Sequence, residues 1–400
     1  MKILIILTHN LNKHGGAEKV LYDFLSFLDN IKNKVEVVIL NIVNEKKFES
    51  NSILKFEKYN IVSLETKIPL KGINFLIKNF FYLDFDFVYY KTIQNFLKKY
   101  NDFDLIIAFD EAILLNTICT IVFKLGINSK IVNWEHGKTP RIYYTHLKVA
   151  NDQRVDYLRK IYTKTISKFI LKEIEEGIKK TEYHLCISSG IERIIKEINP
   201  QAKTYLVYNP VEIKEEELID RGKGNEFIYV GRLDDYQKNI SFMLEGLSRL
   251  KRYDWKLRII GKGPDEKKLK KLSKKLGIEE RIIWEGFKEN PYKDLKEAKA
   301  LLLTSRFEGF GLVLVEANVK GIPFISSNCL SGPEDIVIEG VNGYLYQEGN
   351  IEDFVDKVEK VIKGELKFAN PQEIRKTAYK FEKNLVLNNI FTILKNICKG

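Results

Sequence analysis

Residues 227–232 read FIYVGR, and a short apolar run that ends in glycine returns at 259–264 (IIGKGP) and, more loosely, at 284–287 (WEGF). A continuous apolar run is typical of a strand that helices cover on both faces. Glycine directly after such a strand lets the backbone turn tightly and approach a ligand. The repeats therefore predict a parallel sheet in an α/β domain whose strands end at a ligand-binding edge.

Strand and helix patterns alternate along the whole chain, in two series of roughly 200 residues each. Apolar runs predict strands at 2–7, 34–40, 104–109, 130–134, 183–187, 227–230, 256–260, 281–284, 300–303 and 323–326. Helical spacing predicts helices at 17–28, 240–250, 266–276, 312–319 and, as one last helix, about 371–399. We expect two similar domains, 1–208 and 209–379, with the C-terminal helix at about 380–400 packing back on the first.

The composition is that of a globular protein, with 44% hydrophobic and 30% charged residues among 400. The four cysteines form no C-x-x-C pair, which disfavours a disulfide framework and a structural zinc site and fits a reducing cytoplasm. No run of about eighteen apolar residues occurs, so the sequence predicts no transmembrane helix.

The net charge of +11 is concentrated in the first half: residues 1–210 carry 31 Lys and Arg against 23 Asp and Glu. This excess indicates an anionic partner. Basic stretches with interleaved aromatic or apolar residues at 71–100 and 154–172 predict contact with an anionic membrane surface; the alternative is that both simply face the core. We expect a cytoplasmic protein peripherally associated with the inner face of the plasma membrane.

Charged residues suited to a diphosphate follow the strand at 227–230. Arg232 stands just beyond this strand, and Lys238 follows in the same loop. Because α/β sheets bind ligands at the carboxyl ends of their strands, the two cations can clamp a diphosphate there.

A second part of the site is predicted around the helix at 312–319. Glu308 and Glu316 are eight residues apart, one in the preceding loop and one two turns into the helix, so both can face the same pocket mouth. Gly309 and Gly311 expose backbone amides at the helix N-terminus, where anions are stabilised.

In this order, residues 227–345 resemble the donor-binding domain of glycosyltransferase family 4. The matching pieces are VGRLDDYQKN, IIGKGP, EGF, EGFGLVLVE, KGIPFISS, SGPEDIV and GVNGYLY. With the Gly-Gly-Ala-Glu turn at 15–18, the resemblance extends over nearly the whole chain, loosely in the first half. It implies the α/β GT-B fold, in which two Rossmann-like domains have parallel sheets facing a central cleft.

The resemblance also implies roles for individual residues. Arg232 and Lys238 would neutralise the donor diphosphate as the sugar leaves, which is electrostatic stabilisation of a leaving group. Glu308 would hold the donor sugar and His136, in WEHG, would lie beside it; these four are the expected catalytic residues. The other expected donor contacts are Gly16, Phe287, Gly309, Phe310, Gly311, Leu312 and the ribose-binding Glu316.

Family members retain the anomeric configuration without a metal, and this sequence has no His, Cys, Asp and Glu cluster at metal-ligand spacing. We therefore expect no metal and no cofactor, the nucleotide sugar being a substrate. Two departures bear on the site. The spacing between Arg232 and Lys238 is one residue longer than usual in the family. Asp335 stands where many relatives have Glu.

The predicted function is a retaining, metal-independent transfer of a hexose or N-acetylhexosamine to a lipid-linked or lipopolysaccharide-type saccharide. A UDP-sugar is the expected donor, because the SGPxxI variant resembles bacterial surface-glycan enzymes. A GDP-mannose-dependent mannosyltransferase and a non-catalytic member of the same fold are the alternatives. The basic charge also fits nucleic acid, but the lysines are diffuse and no RNA-binding signature occurs, so we expect no nucleic-acid partner.

Overall fold

The computed structural model describes residues 1–8, 16–31, 35–43, 60–65, 82–110, 112–137, 170–214, 217–222 and 224–400. Two compact units make up the chain. The first comprises Met1–Tyr208 together with Leu387–Gly400, and the second comprises Asn209–Val386.

The described part of the first unit contains one parallel sheet in the order β3-β2-β1-β4-β5-β6-β7. Its strands are β1 Lys2–Leu7, β2 Glu36–Val43, β3 Asn60–Glu65, β4 Leu105–Phe109, β5 Lys130–Glu135, β6 Tyr183–Cys186 and β7 Lys203–Leu206. The strand β4 is buried along its full length, which is why its sequence is apolar without alternation.

Helices cover this sheet. Their bounds are Gly16–Asn30, Tyr82–Lys99, Ala112–Lys124, Ser189–Ile198 and 170–180. The C-terminal helix Lys383–Lys399 joins the first unit from Leu387 onward, where Phe391 packs against Phe27 of the first helix with ring centroids 6.2 Å apart.

The second unit contains a parallel sheet in the order β10-β9-β8-β11-β12-β13. Its strands are β8 Glu226–Val230, β9 Lys256–Ile260, β10 Ile282–Gly286, β11 Ala300–Leu303, β12 Phe324–Ser327 and β13 Gly343–Tyr346. The first strand, β8, pairs with β9 on one side and β11 on the other. The strand order therefore reverses here: β9 and β10 are added on one side of β8, and β11, β12 and β13 on the other. Doubly wound sheets bind ligands at such a point between the two central strands.

An apolar core on one face of this second sheet is covered by helices at 240–248, 266–275 and 351–362, which are three of the helices of this unit. The helix bounds in this unit are Asp235–Lys238, Ile240–Ser248, Glu266–Lys275, Leu312–Val319, Pro333–Ile336, Ile351–Ile362 and Pro371–Thr377, with 3₁₀ turns at Glu279–Arg281 and Tyr379–Phe381.

The prediction of one last helix from about 371 to 399 is wrong. The structure has a helix Pro371–Thr377, a 3₁₀ turn and then the helix Lys383–Lys399. The break has a specific cause. The amide of Val211 donates to the carbonyl of Phe381 (2.8 Å), and the amide of Lys383 donates to the carbonyl of Val211 (3.0 Å), so the backbone between them is extended.

The two stretches predicted to touch a membrane are described only in part. Within 71–100, the helix Tyr82–Lys99 buries Tyr89, Ile93, Phe96 and Leu97 in the core. Residues 71–81 and nearly all of 154–172 lie outside the described residues. In the portions of the chain that are described, no helix combines the length and the apolar character needed to cross a bilayer.

Candidate functional site

The loop after β8 begins with a close approach of two backbone segments. A Cβ added to Gly261, at φ +152°, would lie 1.8 Å from the carbonyl oxygen of Gly231, so only glycine fits between the loops after β8 and β9. The amide of Leu233 then donates to the carbonyl of Lys262 at 2.9 Å. The start of the loop that carries Arg232 is thereby fixed to its neighbour.

The rest of this loop is fastened to the loop after β11. Arg306 donates through Nη1 to the carbonyls of Asp235 and Tyr236, both at 2.8 Å. The hydroxyl of Thr304 donates to the carbonyl of Lys238 at 3.0 Å. These bonds hold Lys238, at the end of the short helix Asp235–Lys238, over the carboxyl end of β11.

Asp235 fixes the same loop through the hydrogen bonds of its side chain. Its buried carboxylate accepts from the amide and hydroxyl of Ser241 (2.7 and 2.9 Å) and from Nζ of Lys268 (2.9 Å). Burial by itself raises the pKa of Asp235, but these hydrogen bonds outweigh it and hold the pKa below its usual value. Asp235 therefore stays an anionic anchor at neutral pH.

Lys238 and Glu308 meet at the switch between β8 and β11. Nζ of Lys238 lies 2.6 Å from Oε1 of Glu308, and their side chains are 16% and 8% exposed. The hydroxyl of Ser305 donates to the same oxygen at 2.6 Å. The residues before Lys238 form the short helix Asp235–Lys238, and Lys238 at its end reaches Glu308 at the carboxyl edge of the sheet.

Arg232 occupies the outer part of this edge. Its side chain is 63% exposed and pairs with Asp234 at 2.6 Å. Its carbonyl accepts from the buried hydroxyl of Tyr229 at 2.8 Å. The guanidinium is thus accessible to an incoming anion while its backbone is fixed.

The segment after β12 holds the loop between Glu308 and the helix Leu312–Val319 in place. The hydroxyl of Ser331 donates to the carbonyl of Glu308 at 2.7 Å and approaches that of Gly309 at 3.1 Å. A Cβ at Gly332 would lie 2.0 Å from the carbonyl oxygen of Phe310, so the two segments touch backbone to backbone. Phe310 is itself buried against Phe381, with ring centroids 5.4 Å apart.

The remaining predicted donor contacts lie on neighbouring elements. Glu316 is half-buried on the helix Leu312–Val319, near Tyr292, whose pKa is raised well above its usual value by burial first and then by the charge of Glu316. The hydroxyl of Tyr292 donates to the carbonyl of Val313 at 3.3 Å. Phe287 follows β10 and is 60% exposed. Gly309, Gly311 and Leu312 form the turn into the helix, with Gly311 at φ +89°.

In the first unit, His136 follows β5 at the carboxyl edge of that sheet. Its ring lies 4.6 Å from the ring of Phe109 and 5.6 Å from that of Trp134. The neighbouring Glu135 is buried and accepts from the amide of Gly137 at 2.9 Å. Gly16 is the exposed first residue of the helix Gly16–Asn30, and Gly15 before it lies outside the described residues.

Sequence reasoning missed Ser305 and Ser331, although Ser305 touches the carboxylate of Glu308. Serine is common and carries no spacing signal; only its position three residues before Glu308 after a buried strand could have singled it out. Among the described residues, no group of three or more His, Cys, Asp and Glu is arranged to hold a metal ion.

Known proteins resemble this chain in sequence and in fold. Residues 211–381 match the family described as "Glycosyl transferases group 1". Lipopolysaccharide 1,6-galactosyltransferases of Salmonella typhimurium and Escherichia coli are 44% and 41% identical over 205 and 203 residues, 49% of this chain in each case. The matches cover 57% and 56% of those proteins, so the chain spans little more than half the length of these curated relatives.

The solved structure of the lipopolysaccharide outer core galactosyltransferase WaaB superposes with a TM-score of 0.78 at 29% identity, over 99% of both chains. Two parallel sheets with covering helices and this likeness establish the class: the chain has the GT-B fold, as expected from its sequence. Its second unit carries the glycosyl transferases group 1 segment.

Proposed function

We propose that this protein is a retaining glycosyltransferase of family 4 that transfers a hexosyl group from a UDP-linked sugar to a lipopolysaccharide-type or lipid-linked saccharide. Galactose is the first candidate for the sugar, because the relatives from Salmonella typhimurium and Escherichia coli are named as lipopolysaccharide galactosyltransferases. Residues 209–379 would bind the donor, and residues 1–208 the acceptor.

The observation that carries the proposal is the pair of Lys238 and Glu308 at the switch between β8 and β11. Lys238 and Glu308 lie 2.6 Å apart and are largely buried. A ligand with a diphosphate next to a sugar suits this pair, because the cation can bind the diphosphate and the carboxylate can bind the sugar hydroxyls. The ammonium of Lys238 has three protons to donate, so it can bind a phosphate oxygen while it remains near Glu308.

In the proposed reaction, the C1–O bond to the diphosphate breaks and the acceptor oxygen forms the new bond to C1 on the same face of the sugar. Arg232 and Lys238 stabilise the charge that develops on the leaving diphosphate, which is the largest catalytic contribution we assign. That diphosphate takes the proton of the acceptor hydroxyl. Glu308 binds the hydroxyls of the sugar, and Glu316 binds those of the ribose. His136 lies beside the sugar. No step of this scheme needs a metal ion.

We further propose that the protein works at an anionic membrane surface in the cytoplasm. The net charge of +8 over residues 1–210 supports this, since basic surfaces are attracted to anionic lipids. Co-sedimentation with vesicles of phosphatidylglycerol, compared with vesicles of phosphatidylcholine, tests it. Binding to the anionic vesicles that is lost in 0.5 M salt, roughly three times physiological ionic strength, is the expected result; equal recovery with both lipids would contradict it.

Transfer is tested with UDP-galactose and lipopolysaccharide extracted from a galactose-deficient strain, in buffer containing EDTA. The expected result is release of UDP and a new α-linked galactose resolved by nuclear magnetic resonance. UDP-glucose and GDP-mannose serve as donor controls. Transfer only from GDP-mannose would assign the other nucleotide, and a β-linked product would contradict retention of configuration.

A further inference from the structure

We propose that Ser305 is a positioning residue for Glu308: its hydroxyl fixes the carboxylate that holds the donor sugar. This inference rests on the proposed function and adds to it a residue that neither the motif nor the comparisons assign. It explains why a fully buried hydroxyl lies directly at the carboxyl end of β11.

The contact with the carboxylate is direct and short. Oγ of Ser305 donates to Oε1 of Glu308 at 2.6 Å, within the range of hydrogen bonds to a charged acceptor. Nζ of Lys238 approaches the same oxygen at 2.6 Å. Both bonds are made to Oε1, so they restrict rotation of the carboxylate. The second oxygen, Oε2, then points in one fixed direction, and we place the sugar hydroxyls there.

The backbone of Ser305 is itself held in place. The hydroxyl of Ser327, at the end of β12, donates to the carbonyl of Ser305 at 2.6 Å. Both serines are fully buried. Ser305 therefore has a fixed backbone from which its own hydroxyl can act on Glu308.

The main chain of Glu308 is fixed from the other side by Ser331. This residue has φ +67°, a left-handed conformation that is strained for a non-glycine residue. Glycine would adopt the same conformation without that strain, but it would lose the hydroxyl that donates to the carbonyl of Glu308. Side chain and main chain of Glu308 are thus each held by one buried serine hydroxyl.

The test compares Ser305→Ala with Ser326→Ala in the full-length protein. Ser326 is the matched control, because its hydroxyl is equally buried but donates to the carbonyl of Ser327 and not to Glu308. UDP affinity is measured by calorimetry, and kcat and KM by release of UDP from UDP-galactose in the presence of extracted lipopolysaccharide. A third variant, Ser305→Thr, restores the hydroxyl.

The expected result for Ser305→Ala is a fall in kcat of roughly ten- to hundredfold, the loss that removing one hydrogen bond to a charged group produces. UDP affinity stays within about twofold, because the proposed contact of Glu308 is to the sugar and not to the nucleotide. Ser326→Ala keeps the wild-type kcat, and Ser305→Thr recovers most of it. Wild-type kcat in a folded Ser305→Ala protein would overturn the inference, as would parallel losses of kcat and UDP affinity.

A double-mutant cycle keeps this inference separable from the proposed function. Unfolding of Ser305→Ala, Glu308→Ala and the double variant is followed by denaturant titration, which needs no substrate. Non-additive losses are expected, because the two residues share one hydrogen bond. Additive losses would overturn the positioning role even in an active enzyme. Non-additive losses in a protein that transfers no sugar would instead count against the proposed function.

Discussion

At the scale of single residues, Lys238 and Glu308 are two of the site residues expected from the sequence, and the structure brings these two together. Lys238 and Glu308 are 70 positions apart, yet each follows a strand of the same sheet, and the parallel topology places both at one edge. Ser305 could not be predicted in the same way. The role of this serine depends on where its hydroxyl points, and the conformation of the buried loop sets that direction. The pattern of residue types in the sequence does not reveal it.

Glu316 offers a test of nucleotide recognition. We expect Glu316→Gln to weaken UDP binding by about ten- to hundredfold, because ribose hydroxyls would lose a charged acceptor. Glu373→Gln, at an exposed site on the helix Pro371–Thr377, is the control and should bind UDP as the wild type does. Calorimetric titration checks both, and equal affinity of Glu316→Gln and the wild type would remove Glu316 from the site.

His184 predicts how stability depends on pH. The ring is buried on β6, where Nε2 donates to the carbonyl of Thr181 (3.0 Å) and Nδ1 accepts from Asn133 (3.2 Å). Burial lowers the pKa of His184 from 6.5 to about 4. The unfolded chain therefore binds a proton between these pH values that the folded chain does not, so stability falls as the pH drops from 6.5 towards 4.

The contribution of His184 to this loss is about 3 kcal/mol when the pH has reached 4. Denaturant unfolding at several pH values between 4 and 7.5 measures it, and His184→Gln should flatten the dependence. If both proteins lose the same stability on acidification, the buried ring is not its source.

At the scale of elements, strands with a continuous apolar run are predictable, whereas β7 and β13, whose residues are mixed in character, are not. The strand β4 consists of five buried residues in a continuous apolar run, so its sequence alone defines it. The strands β7 (Lys203–Leu206) and β13 (Gly343–Tyr346) have four residues each and are partly exposed. Too few apolar residues mark such strands, and they form because a neighbouring strand offers a free edge.

The close approach of the loops after β8 and β9 predicts a sensitive position. In Gly261→Ala, the new Cβ would meet the carbonyl of Gly231, and the loop that carries Arg232 would have to move. We expect a loss of roughly 1–3 kcal/mol in unfolding free energy together with weaker UDP binding. Gly224→Ala is the control, because nothing lies within 4 Å of its added Cβ. Equal stability and UDP affinity of the two variants would contradict this account of the loop.

At the scale of the whole molecule, the chain enters the second unit at Asn209 and returns to the first at Leu387. Repeated strand and helix patterns predict two domains of one kind. The break before the helix Lys383–Lys399 was not predictable, because it depends on the backbone contact of Phe381 and Lys383 with Val211, 170 residues and more away.

The C-terminal helix should contribute to the stability of the first unit. Leu394 is fully buried, whereas Leu385 on the same helix is 58% exposed. We expect Leu394→Ala to lower the unfolding free energy by about 2–5 kcal/mol, and Leu385→Ala by less than about 1 kcal/mol. Thermal or denaturant unfolding distinguishes the two. Similar small losses would mean that this helix does not complete the core of the first unit.

The most direct test of the central claim is a calorimetric titration of the metal-free protein with UDP and, separately, with GDP. We expect saturable binding of UDP, weaker binding of GDP, and a clear loss of UDP affinity in Lys238→Met, whose side chain keeps its length and loses its charge. Failure of both nucleotides to bind, or UDP binding that is unchanged in Lys238→Met, would contradict the claim that the edge between β8 and β11 holds the diphosphate of a nucleotide sugar.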